Sequence, residues 1–202
     1  PEGERKRRAH EPLLHKINGH WEISTPGLSG AVGRSVSSQK RRFENSTLGH
    51  PWDDIEEYRW HYPLRANAWE EDFAPLDALL RVLDPGLTSD EVFAPALEKL
   101  ADVDEWLRHF AGRAAVSDWD SIGQHRGKHA FLFRAPSGKW YVLPWDSDMA
   151  FSTRGGLSRI FTPSFAPVRR LLEHPAIRRR YRSWLATIAE RSKEQPALAA
   201  DL

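Results

Sequence analysis

Cysteine is missing altogether from the 202 residues, and methionine occurs once. The first absence excludes disulfides and thiolate metal sites, and is compatible with either side of a membrane. No apolar run approaches the roughly 18 residues that a bilayer-spanning helix needs, so no membrane span is expected. A dominant charge sign is lacking as well. The 29 basic and 28 acidic residues leave a net +1, so no global field draws the chain to nucleic acid or to an anionic membrane. The basic runs Arg5–Arg8 and Arg178–Arg180 therefore read as a solvated tail and a solvated helix face. An initiator Met and a signal-peptide pattern are also absent, since the chain opens at Pro1. The expectation is an excised piece of a longer protein.

What is present is enough for one compact domain with a real core: 23.2 kDa, 40% hydrophobic residues and 9 tryptophans. Three regions are expected: a charged N-terminal segment over 1–12, a domain over 13–192, and a C-terminal tail over 193–202. The run LLHKINGHWEI holds two short apolar stretches joined by Asn18-Gly19, a dipeptide suited to a tight hairpin turn. Residues 24–50 are rich in Ser, Gly and Thr without a period, and read as a long loop. Trp52, Ile55 and Trp60 suggest a short helix before Pro63.

From Pro75 the pattern turns helical. Leu76, Leu79, Leu80 and Leu83 form one stripe, ended by Pro85-Gly86. The TSDE run at 88–91 has capping-box spacing and opens a helix to about Leu100, with Pro95 inside it. Asp102 then caps a helix whose apolar face is Val103, Trp106, Leu107, Phe110, Ala111 and Ala114. A loop SDWDSIGQHRGK leads into strands HAFLF and KWYVLP, joined by the turn residues RAPSG. After YVLPWDSDMAF comes a glycine-containing loop, and two helices close the chain. The last of these carries Ile177, Tyr181, Trp184, Leu185 and Ile188 on one side. The expected fold is α+β, a mostly helical body carrying a small β-hairpin.

That hairpin carries the chemistry, because Asp118-Trp119-Asp120 precedes its first strand and Trp145–Asp148 follows its second. Antiparallel strands bring their outer ends together, so Asp120 and Asp146 are expected to be neighbours. Converging carboxylates repel unless a cation or a proton separates them, and hard oxygen ligands suit Mg²⁺, Mn²⁺ or Ca²⁺. Asp118 is the more structural of the two acids in its loop. His125 and His129 have H-x₃-H spacing, but Gly127 between them and the strand that follows argue against a helical transition-metal site. Helix, acidic loop, hairpin and metal-holding Asp in this order also make up the layout of a protein-kinase active site. On that layout Asp120 orients the attacking hydroxyl and Asp146 holds the metal, with Asp148 in support. Trp140, on the strand before the metal Asp, offers a flat face for a purine.

At these residues the chain resembles the CotH kinase family, the spore-coat-H-like atypical kinases. The resemblance rests on Asp118-Trp119-Asp120-Ser121, HAFLF, Gly138-Lys139-Trp140 and Pro144-Trp145-Asp146-Ser147-Asp148. More loosely, it extends from about Leu13 to Trp184 through LLHKINGHWE and DVDEWLRHFA. It implies a protein-kinase-like large lobe, ATP with Mg²⁺ or Mn²⁺, and phosphoryl transfer to Ser hydroxyls of secreted or surface proteins, hence an extracytoplasmic or cell- or spore-surface location. His129 falls where the family has its second metal-binding Asn, and His15 falls at the hinge-like position near the nucleotide base. No counterpart of the small lobe is visible, so that lobe is expected to be missing, truncated or upstream of Pro1. The alternatives are a pseudokinase, or a surface domain binding a divalent cation or carbohydrate without catalysis.

Overall fold

In chain order the elements are β1 (Leu13–Ile17), β2 (Gly19–Ser24), β3 (Lys40–Asn45), α1 (Ile55–His61), β4 (Leu64–Ala66) and α2 (Ala74–Leu83). They continue with α3 (Asp90–Leu100), α4 (Val103–Ala115), β5 (Ala130–Arg134), β6 (Trp140–Pro144), α5 (Ala166–Glu173) and α6 (Pro175–Lys193). The computed structural model describes residues 12–17, 19–24, 40–45, 55–66, 71–124, 129–151, 160–161, 163 and 165–193. Trp52, His125, Gly127 and nearly all of the loop after Phe151 lie outside them.

The helices form where apolar spacing and capping predict. Leu76, Leu79, Leu80 and Leu83 are all buried along α2. In α4 the expected face is buried throughout, and the Asp102 carboxylate accepts from the Glu105 amide at 3.1 Å, satisfying one of the orphan donors of the first turn. The capping box at α3 is not made as its spacing suggests. Ser89 is the N-cap, and the Thr88 hydroxyl donates instead to the Arg81 carbonyl at 2.9 Å, tying α3 back to α2.

The sheet is larger than the expected hairpin. Four antiparallel strands run in the order β4-β1-β5-β6. The strands flanking Asn18-Gly19 do not pair with each other: β1 lies between β4 and β5, whereas β2 pairs with β3. Part of the stretch expected to be a loop is therefore the strand β3. Apolar alternation cannot reveal such a partner choice, because both arrangements bury the same side of β1. Leu13, His15 and Ile17 face inward, next to Ala130, Leu132, Trp140 and Val142. Behind them pack the faces of α2, α4, α5 and α6.

Helix α4 is clamped to the sheet at Trp140. The Trp140 carbonyl accepts from the Asp102 amide and from the Trp106 indole N–H, each at 3.0 Å. On the other side of α4, Arg180 of α6 reaches Asp104 at 3.0 Å and Glu98 of α3 at 2.6 Å. One arginine of the α6 face thus ties α6 to α3 and α4 at the surface.

Two histidines are held neutral. His15 is fully enclosed, and burial drives its pKa down to about 4, partly opposed by the bond its Nδ1 makes to the Tyr62 carbonyl. His109 on α4 is pushed down to about 3 by burial and then by the Arg113 charge. An unfolded chain takes up these protons near pH 6.5, while the folded one resists until far lower pH. Stability is therefore full above about pH 6.5 and is lost as pH falls, at about 1.4 kcal/mol per pH unit for each histidine. We expect the melting temperature to drop steadily between pH 6.5 and 4, and His109→Gln to make that slope shallower. A calorimetric series with the same slope in both proteins would contradict this account of His109.

Candidate active site

The open end of the β5–β6 hairpin meets the C-terminal end of α4, and one side chain joins them. Arg113, in the last turn of α4, is only 5% exposed. Its Nη1 donates to the carboxylate of the fully buried Asp118, to the Asp146 carbonyl at 3.2 Å and to Ser147 Oγ at 2.9 Å. Its Nη2 donates to the Trp145 carbonyl at 2.7 Å and the His129 carbonyl at 3.1 Å. Two backbone bonds complete the junction: Trp145 N–H to the His129 carbonyl, and Phe151 N–H to the Val116 carbonyl. The loops before and after the hairpin therefore do converge, as the antiparallel pairing requires.

The backbone here is unusual. Among the described residues, the non-glycine positions with positive φ are Glu71, Ser117, His129, Asp146 and Phe151. Four of them lie on these two loops. Side chains at such φ values cost energy and persist only where the surroundings hold them, which happens most often at functional sites.

His129, Asp146 and Asp148 each bring one ligand atom to within 4.8 Å of the others. His129 Nε2 stands 3.6 Å from the Asp146 carboxylate. Asp146 and Asp148 are exposed, and His129 is half-buried. Two carboxylates and one imidazole fit a divalent ion reached from solvent. The oxygens suit Mg²⁺ and Mn²⁺, and the nitrogen tilts the set toward Mn²⁺.

The other expected residues are placed differently. Asp120 is not in this group; it is 8% exposed, in a turn fixed by the Ser121 hydroxyl bonding the Asp118 carbonyl at 2.7 Å. Trp140 is 1% exposed and faces the core, so in this structure it presents no ring face to a purine. Its ring lies 5.8 Å from that of His15, which also contacts Phe73 at 5.6 Å. His15 is thus a core histidine, neither on the surface nor open to a ligand. Alternation explains both: they point to the inner face of the sheet. Two aromatics beside the site are exposed: Phe151, and Trp145, which is edge-on to Phe131 at 5.3 Å with the Lys16 ammonium 5.7 Å from its ring.

Arg113 escaped the motif reading, although a signal was available. It stands three residues after Phe110 and seven after Trp106, on the stripe where helical period demands an apolar residue. A charge there implies a buried partner, and Asp118 supplies it.

Structurally, this is an α+β domain with a candidate divalent-cation site at the open end of a β-hairpin. A family model described as CotH kinase protein matches residues 36–192, most of the chain, and the chain belongs to that family. The match starts later than the resemblance at Leu13 and runs past Trp184. No curated protein matches the chain.

The loop between Asp118 and the hairpin also depends on Gly123. Its φ is +95°, and a Cβ there would sit 2.7 Å from Cδ1 of Phe110, a core residue of α4. Gly123→Ala combines backbone strain with a clash against a packed ring, and should destabilise the fold by roughly 2–4 kcal/mol. Denaturant titration would show the midpoint falling; an unmoved midpoint would mean that the loop is not seated on Phe110.

Proposed function

We propose that this is a kinase-like phosphotransferase domain, over residues 13–192, that binds ATP with Mn²⁺ or Mg²⁺ and phosphorylates Ser hydroxyls of a protein substrate. The observation that carries this reading is the convergence of His129, Asp146 and Asp148 where Arg113 joins the two loops. Membership of the CotH kinase family supports it.

Bound there, a divalent ion supplies charge neutralisation for nucleotide phosphates. Asp146 and Asp148 contribute the oxygen donors and His129 the imidazole nitrogen. Asp120 accepts the hydroxyl proton of the acceptor Ser once a turn movement exposes its carboxylate. A cleft of about 540 Å³ between α4 and β6, lined by Tyr141, Leu143 and Ser147 among others, leaves room for an acceptor segment beside the site. The rate gain would come from positioning and charge stabilisation.

A second reading is a pseudokinase or cation-binding surface domain that keeps the ion but performs no transfer. The burial of Asp120 away from the three donors favours it.

Transfer of labelled γ-phosphate to serine by the natural full-length protein separates the two. On the first reading the wild type transfers phosphate, faster with Mn²⁺ than with Mg²⁺, and Asp146→Ala lowers the rate about a hundredfold or more. Activity that survives Asp146→Ala refutes the assigned mechanism. Cation and nucleotide binding without any turnover selects the second reading.

A further inference from the structure

His129 and Asp146 are the two donors with left-handed backbones, at φ 59° and 51°. Their carbonyls belong to the same small set of acceptors around Arg113. The guanidinium also holds the carbonyl of Trp145, just before Asp146, and the hydroxyl of Ser147, just after it. Asp118 anchors the guanidinium in turn, from the loop before the hairpin. Of the groups expected to bind the ion, the two carboxylates are exposed and the imidazole is half-buried, whereas the group fixing their backbone is buried.

We infer that Arg113 is the positioning residue of the cation site: by binding the carbonyls of His129 and Asp146 together, it sets the separation of their ligand atoms. The inference rests on the cation reading given above. Arginine is required because only a planar fork of donors can span five acceptors on three segments. A lysine ammonium neutralises Asp118 but cannot reach both sides of the hairpin end. Removing the fork leaves the left-handed residues free to relax, and the donor atoms spread. The effect belongs with those of groups that orient metal ligands without touching the metal, which typically change affinity 10–100-fold.

The experiment measures Mn²⁺ binding, by calorimetry and by the electron paramagnetic resonance of the bound ion, together with the melting temperature. The proteins are wild type, Arg113→Lys, the paired change Arg113→Met with Asp118→Leu, and Asp146→Asn. Arg113→Lys keeps the ion pair and is expected to melt within a few degrees of wild type, yet to bind Mn²⁺ at least about tenfold more weakly with an altered spectrum. The paired change removes both buried charges together, so it reads the site without an orphaned carboxylate even where the lysine variant fails to fold. Wild-type affinity and spectrum in either folded variant would overturn the inference. Binding by wild type that Asp146→Asn leaves unchanged places the ion elsewhere, and no Mn²⁺ binding by wild type removes the cation reading itself. Those results are distinct from failure of the positioning role alone.

Discussion

The buried guanidinium of Arg113 is the constraint on which the arrangement of the site depends. Two charges, Arg113 and Asp118, have been taken out of water at the end of α4. Desolvation makes such a pair a poor source of net stability, since well-packed apolar residues often do as well. Its value lies in specificity. A buried cation favours those backbone arrangements that give its donors partners, and here both Nη groups, though not Nε, are met by carbonyls from the two ends of the hairpin. Irregular loops on either side of the hairpin thereby acquire a single geometry.

That constraint works only because α4 is itself immobilised. Asp102 starts the helix and, with Trp106, binds the Trp140 carbonyl, so the first turns are fixed to β6. Arg113 sits at the opposite end and grips the residues that follow the same strand. One helix is thus fastened to one strand at both its ends. The register of β6 against β5, with Ala130 opposite Pro144, then brings His129 and Trp145 face to face. Packing sets the position of the helix, the helix sets the guanidinium, and the guanidinium sets the loops.

The legibility of the chain follows the range of the forces involved. Helices were readable because period and caps are local: the leucines of α2, the face of α4 and the Asp102 cap stand as the spacing implies. The β5–β6 hairpin was readable for the same reason. Strand partners separated by long stretches were not, so β1 joining β5 and β4, and β2 joining β3, came only from the structure. At the site, the closeness of the two loops followed from antiparallel pairing, and His129, which stands where the family has an Asn, lies within reach of Asp146 and Asp148. Facing was harder. Trp140 and His15 carry chemistry in principle, but strand alternation turns both inward, where packing and neutrality decide their roles. Arg113 was legible only as an exception, a charge on an apolar stripe.

The division between buried and exposed groups also explains why the donors tolerate their setting. Three donor residues this close, two of them carboxylates, would repel strongly in a dry interior and would have to protonate. Placed at the surface, Asp146 and Asp148 keep their hydration, so the fold bears little cost for having them adjacent. The expensive part, a desolvated charge, is assigned to Arg113, whose positive sign faces the Asp146 carbonyl and the rest of the loop. The dipoles of that loop are thereby oriented with their oxygens toward the guanidinium and the side chains directed outward. On the proposed cation reading, a site built this way would be ready before the ion arrives, because the repulsion it must overcome is screened by water and the geometry it needs is held from beneath.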